Sequence, residues 1–378
     1  PWWREPILLL AGYQATHAAR SARELLRALA EAGGEANAQF SAAELAATAA
    51  LEWRESGETL RADCAQRIVR LLSDDHALAN SQPVVRARAG DRLAQLGDPR
   101  FDRERFHLPA DEMLGFVRIA ADPGFMIGTR RQDAARVSKI IGGKAYEDEI
   151  NDAPTPTSEF YIARYPVTVG QFRAFVEATG CAIGDADALA DPDSRPARRV
   201  NWHEAHAWCD WLNEMLATSP ACIGSPIARL VREQGWRVAL PSELEWEKAA
   251  RGGLGGSAFP WPGDADPNRA NYAESQIGDT SAVGCFVANG FGLFDMVGNV
   301  WEWTRSIYLP YPYDPTDPKR EELKADEEAR RVVRGGSWSL RRDLARCASR
   351  SGHRPGLRHV SVGFRVVLRG QCSVSESR

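Results

Sequence analysis

The chain has no apolar run long enough to cross a bilayer. Near its start the longest is Ile7-Leu8-Leu9-Leu10-Ala11, far short of the ~20 residues a spanning helix needs. No basic segment followed by a longer apolar core opens it, so no signal peptide and no membrane partner are expected. It has no excess of positive charge. Its 47 Lys and Arg stand against 51 Asp and Glu, a net charge of −4, which argues against nucleic acid as a whole-chain partner. Cysteine is sparse: seven in 378 residues make no disulfide scaffold, and an odd number leaves at least one unpaired. A reducing cytoplasm is the expected location. No Gly-x-x-x-x-Gly-Lys-Ser/Thr occurs, so no P-loop ATPase lies within these residues. What remains is an ordinary globular composition, 44% hydrophobic and 26% charged, sufficient for one large domain or two to three smaller ones.

Two textures divide the chain. Residues 1–108 are rich in Ala, Leu, Glu and Arg and predict an all-helical domain of five or six short helices packed as antiparallel pairs. Ser21-x-x-Glu24 and Ser41-x-x-Glu44 have the spacing of capping boxes, Pro83 can open a helix, and Gly97-Asp98-Pro99 can end it. Residues 109–370 hold most of the Trp and Gly. Short strands are predicted at 115–119, 160–162, 331–334 and 363–367, and helices from Trp202 to about Leu216 and after Ser242-x-x-Glu245. Stretches 129–158, 181–199, 253–290 and 305–330 read as long loops, with 313–330 a solvated charged insertion. Residues 371–378 read as a disordered tail.

The second texture carries an ordered series of motifs. They run from Phe125-Met126-Ile127-Gly128 and Tyr165-Pro166-Val167-Thr168 through Val200-Asn201-Trp202-His203-Glu204-Ala205 and Leu240-Pro241-Ser242-Glu243-Leu244-Glu245-Trp246-Glu247. Asn289-Gly290-Phe291-Gly292-Leu293-Phe294-Asp295-Met296-Val297-Gly298-Asn299-Val300-Trp301-Glu302-Trp303-Thr304, Arg334-Gly335-Gly336-Ser337-Trp338, Arg346-Cys347-Ala348-Ser349-Arg350 and Gly363-Phe364-Arg365 follow. Over about 113–369 this order resembles the formylglycine-generating enzyme (sulfatase-modifying factor) family. The resemblance implies an α+β fold: a loop-rich, C-type lectin-like domain preceded here by a small all-α domain.

The chemistry does not follow from the fold. The family's oxidase holds copper(I) on two thiolates between the Gly-Gly-Ser and Arg-Cys-Ala motifs, where soft sulfur suits a soft ion. The corresponding 338–346 contains no cysteine; the two positions fall on Leu340 and Arg342. Neither side chain binds copper(I) or forms a mixed disulfide, so formylglycine generation, or a related metal-dependent oxidase activity, is the alternative reading. Cys347 matches a structural position whose partner falls on Cys209, which implies two neighbouring buried thiols. A related branch uses non-haem iron on histidines, but His17, His76 and His107 are isolated, and His203 with His206 lacks a third ligand.

The same fold serves as the variable protein of diversity-generating retroelements, whose segment between Gly-Gly-Ser-Trp and Gly-Phe-Arg is rewritten at adenines. That resemblance places diversified ligand contacts at Ser339, Leu340, Arg341, Arg342, Asp343, Leu344, Ser349, Ser351, Gly352, His353, Leu357, His359, Val360 and Ser361, over a base of Trp338, Trp301, Trp303 and Phe364. Arg346, Arg350 and Arg365 match structural positions. Adenine mutation of AAC codons cannot yield Lys, Glu, Gln, Met or Trp. These make up 58 of the 378 residues yet none falls in 339–362, an absence expected by chance about 2% of the time on composition. The implied function is non-catalytic recognition of a protein or other macromolecular ligand, without a required cofactor. The family also implies calcium near the Gly-Asn-Val-Trp-Glu-Trp loop, on Asp295, Glu302 and the Gly298 and Val300 carbonyls, with Asn271 in a second site; the carboxylates could instead make hydrogen bonds inside the loop. The helical half resembles the tail that follows a NACHT-type NTPase, which implies an upstream NTPase partner and a role as a sensor or interaction module.

Overall fold

The computed structural model describes residues 4–143, 146–324 and 326–370; the expected tail at 371–378 lies outside them. Six helices come first: α1 (Arg4–His17), α2 (Ala19–Ala30), α3 (Ala36–Glu52), α4 (Glu58–Leu72), the short α5 (Asp75–Ala79) and α6 (Pro83–Leu96). Small side chains let them pack closely. Ala43, Ala46, Ala47 and Ala50 of α3 are buried with Phe40 at the centre of the group. Pro83 opens α6 where its missing N–H costs nothing, and Gly97 closes it at φ +88°. Ser21 and Ser41 are not caps. They lie inside α2 and α3, which begin at Ala19 and Ala36, because alanine-rich sequence sustains the helix through the Ser-x-x-Glu spacing.

Beyond a small antiparallel pair, β1 (Phe101–Asp102) and β2 (Leu108–Pro109), two four-stranded sheets carry the rest. One is antiparallel, in the order β3 (Phe116–Ile119), β4 (Phe160–Ala163), β10 (Val367–Arg369), β5 (Arg237–Ala239). The other runs β8 (Arg350–His353), β7 (Arg331–Arg334), β6 (Trp301–Ile307), β9 (Val362–Phe364), with β6 and β9 parallel. The single strand expected at 363–367 is thus two strands in different sheets. Between them the Arg365 side chain donates to the Ala163, Arg164 and Phe294 carbonyls.

Both expected helices form, α9 (Trp202–Thr218) and α11 (Glu243–Arg251), each opened by a complete capping box, Asn201 with Glu204 and Ser242 with Glu245. Three more form outside the expectation: α7 (Ala134–Ile141), α8 (Val169–Thr179) and α10 (Pro226–Gln234). The start signals of two were present, Thr168 with Gln171 for α8 and Ser225-Pro226 for α10. The segment 313–330 is not wholly solvated either. Arg320 is buried, its guanidinium lies 4.3 Å over the Tyr313 ring, and Glu321 binds Arg305 and Ser306 at 2.7 and 2.6 Å.

The largest apolar cluster joins Trp208, Trp211 and Leu212 of α9 to Trp301, Trp303 and Phe364, each such side chain contributing about 1.5–3 kcal/mol by burial. The helical group shares core with the long loop that leads into β6. Ala282, Cys285 and Phe286 sit in the same apolar cluster as α3, α4 and α6. At Gly90 of α6 a Cβ would stand 2.8 Å from both Ala282 Cβ and Cys285 Sγ. Arg86, fully buried, donates to the Cys285 and Asn268 carbonyls at 2.9 and 2.8 Å. Burial pulls its pKa down to about 10, only partly offset by the charges of Cys285 and Asp266.

Candidate ligand-binding face

The 335–349 turn between β7 and β8 is set by glycine and arginine. Gly335 and Gly336 take φ +96° and +74°, and a Cβ at Gly336 would meet Leu344 O at 2.7 Å, so only glycine lets the chain fold back on itself. Three buried arginines anchor what surrounds it. Arg346 binds Glu149 with two parallel bonds of 2.8 Å. Arg350 binds Glu243 at 2.7 and 3.1 Å, and Arg334 bridges Glu243 (3.2 Å) and Glu247. A fourth, Arg365, holds Glu302 at 3.0–3.2 Å. Buried ions of this kind fix geometry, because losing one partner strands the other.

On this frame the expected contact residues fall into three groups. Ser339, Arg341, Arg342 and His359 are exposed. Leu340, Asp343, Leu344, Ser351, Gly352, His353, Leu357 and Val360 are half-buried. Ser349 and Ser361 are buried, at 0% and 4% exposure, and are corrected here: neither is free to face a ligand. Ser349 precedes the buried Arg350 side chain, and Ser361 gives its carbonyl to Trp301 N–H and its hydroxyl to the His359 ring at 2.8 Å. Gly352 is constrained too. A Cβ there would stand 2.7 Å from the Tyr308 ring.

The expected base lies beneath. Trp301, Trp303 and Phe364 are buried in one cluster, against which Leu340 and Leu357 pack. His353 meets the Trp303 ring edge-on at 6.4 Å. Trp338 is half-buried, and its indole N–H has no partner among the described residues. Arg342 reaches over Gly142 at the end of α7, and its N–H faces Glu274. Glu149, Glu243, Glu247 and Tyr308, which hold this face in shape, escaped the sequence reading. The i,i+4 acids of α11 were their one available signal, since solvated helices rarely bury two such groups on one face.

The remaining candidates are placed apart. Leu340 packs against the largest apolar cluster, and Arg342 is exposed. Cys209 and Cys347 are free, buried and in separate apolar clusters rather than side by side. Burial pushes the Cys347 thiol up to about 12. His206 packs at a tilt against Trp202, ring centroids 4.1 Å apart, its pKa pulled down to about 4 by burial and then by Arg331, while His203 turns to Glu327 at 3.1 Å.

The calcium set does not fit a divalent ion. Both Glu302 oxygens are taken by Arg365, and Trp246 Nε1–H donates to one at 2.6 Å. Asp295 accepts from Gly284 N–H at 2.9 Å and the Asn299 amide at 3.3 Å; burial raises its pKa to about 6. The Asn271 amide nitrogen donates to Asp279 O, and its oxygen accepts from Ser275. Gly298 and Val300 lie in the turn before β6; a Cβ at Gly298 would strike the Asn271 backbone at 2.2 Å. Among the described residues no group of three or more His, Cys, Asp or Glu could hold a metal ion, and no helix is long and apolar enough to cross a membrane.

Two four-stranded sheets joined by long loops, with a frame of buried arginine–glutamate pairs, define the class. Residues 126–370 match the sulfatase-modifying factor enzyme 1-like domain, and the chain belongs to that family. It is 33% identical over 198 residues to the inactive C-alpha-formylglycine-generating enzyme 2 of Bos taurus, covering 48% of this chain and 53% of that protein. The chain thus spans about half the length of that relative. It is 31% identical over 277 residues to the formylglycine-generating enzyme of Mycobacterium tuberculosis, covering 59% of this chain and 91% of that one. Among solved structures, PvdO from Pseudomonas aeruginosa superposes with a TM-score of 0.51 at 25% identity, over 67% of this chain and 94% of that one.

Proposed function

We propose that the protein is a non-catalytic, cytoplasmic ligand-binding protein that reads a macromolecular partner through exchangeable side chains between 339 and 361, as a diversity-generating retroelement variable protein does. One observation carries the reading. Residues 126–370 match the family, yet 338–346, where the resemblance puts the copper(I) ligands, contains no cysteine, and the Leu340 and Arg342 side chains supply no ligand to a soft metal. The absence of Lys, Glu, Gln, Met and Trp from 339–362 supports rewriting at adenines. Ser339, Arg341, Arg342 and His359 are exposed while Leu340, Leu357 and His353 are half-buried, which supports a contact surface of mixed polar and apolar character. On this reading the helical module serves as an adaptor to an NTPase elsewhere in the polypeptide. The test is genomic. A second copy of the 339–362 coding segment, differing only at adenines and lying beside a reverse transcriptase gene, is expected; its absence would overturn the retroelement reading. The non-catalytic reading is tested by incubating the protein with copper(I), oxygen and a cysteine peptide: no formylglycine is expected, and turnover would overturn it.

A further inference from the structure

A cavity of about 280 Å³ opens on the molecule between the 122–130 segment and the end of α11. It lies apart from residues 339–361, none of which lines it. Its apolar walls are Phe125, Met126, Leu254 and Phe291. The loop after α11 reads Gly252-Gly253-Leu254-Gly255-Gly256, and it leaves one side without side chains: a Cβ at Gly255 would meet nothing within 4 Å. The charged lining is three cations, Arg130, Lys248 and Arg251, and two carboxylates, Asp122 and Asp133.

The donors are unequally used. Arg251 is spent, bonded to Glu247, Ser257 O and Gly128 O. Lys248 gives two of its three protons to Ala120 O and Thr157 Oγ1, and one is left. Arg130 pairs through Nε with Asp133 at 2.7 Å, and among the described residues its two Nη groups make no further hydrogen bond. Asp133 is itself shared with Arg136 at 3.3 Å, so one carboxylate answers two guanidiniums. An apolar hollow of this size with a few convergent polar groups is the ordinary form of a small-molecule site. The spare donors are cationic, and charge-assisted bonds from them favour an anion over a neutral acceptor.

We infer that this cavity binds a small apolar carboxylate, its hydrocarbon body against Phe125, Met126 and Phe291 and its charged group on the free Nη donors of Arg130. The site is separate from the contact face and does not depend on what that face recognises.

The probe is 3-phenylpropanoate, titrated into the full chain by ligand-observed NMR and calorimetry, with 3-phenylpropan-1-ol and acetate as controls. A Kd of about 1 mM or tighter is expected for so small a molecule, with the alcohol and acetate each at least ~10-fold weaker. Gly255→Leu, which fills open space at a residue with unstrained backbone, and Arg130→Gln, which removes the charge, should each weaken 3-phenylpropanoate by about 10-fold or more while leaving the melting temperature unchanged. Absence of binding by the native protein overturns the inference. So does binding that both folded variants retain, which would put the probe elsewhere, or an alcohol that binds as tightly as the acid.

Discussion

Arg346 and Glu149 face each other with two parallel 2.8 Å hydrogen bonds, 197 residues apart in sequence and both buried. Through this pair the candidate contact segment is fastened to the 147–149 turn. Burial raises the Glu149 pKa while Arg346 draws it back. Arg346→Ala is therefore expected to cost about 3–5 kcal/mol by urea unfolding, because it strands a buried carboxylate. Arg346→Met combined with Glu149→Leu should recover most of that loss. A double variant as unstable as the single one would show that packing around Arg346, not charge pairing, holds the turn.

Two buried groups pull stability in opposite directions over one pH range. His206 is held neutral down to about pH 4 against an ordinary 6.5. The unfolded chain therefore binds more protons in that window, and its contribution is lost as pH falls from 6.5 toward 4. Asp295 has its pKa raised from 3.8 to about 6. The folded state binds the extra proton, so its contribution is lost as pH rises through the same window. His206→Phe, which keeps an aromatic ring against Trp202, should make unfolding free energy fall more steeply with rising pH between 4 and 6. Asp295→Asn should make it rise more steeply, by up to about 2 kcal/mol across the window. Parallel pH profiles for both variants and the native protein would contradict these assignments.

The helical module and the sheets should melt as one unit. The loop that leads into β6 shares the cluster of Phe40, Ala282, Cys285 and Phe286 with the helices, and Arg86 ties α6 to two carbonyls of that loop region. Gly90→Val must force Ala282 and Cys285 away, an overpacking cost of about 1–3 kcal/mol. Far-ultraviolet dichroism and tryptophan fluorescence should report a single transition in the native protein and separated transitions in the variant. Coincident transitions in both would mean that the shared cluster is not what couples them.

Chelation of calcium should leave the melting temperature where it is, because Glu302 is already neutralised by Arg365. A fall of several degrees on adding chelator, restored by calcium, would show that ligands are drawn from elsewhere.

Much of this was legible in the sequence because it rests on local rules. Asn201-x-x-Glu204 and Ser242-x-x-Glu245 open α9 and α11, and Pro83 and Gly97 bound α6. The motif order gave the family, and Trp301, Trp303 and Phe364 gave the floor of the face. What stayed hidden depends on distant contacts. Nothing near Ser349 or Ser361 signals burial: Ser349 lies between the buried Arg346 and Arg350, and Ser361 is held by Trp301 of β6. Likewise Gly352 reads as a free position until Tyr308 is packed on it. Cys209 and Cys347 read as neighbours only by family analogy, and the fold sends them to separate clusters.

The central claim is that a fixed frame carries exchangeable side chains, and a substitution-tolerance map of 339–361 in a folding-selected library tests it most directly. Ser339, Arg341, Arg342 and His359 should accept nearly every residue, within about 0.5 kcal/mol of the native stability. Arg346, Ser349, Arg350, Gly352 and Ser361 should accept almost none. Equal tolerance in the two groups, or intolerance at Arg341 and Arg342, would contradict the account.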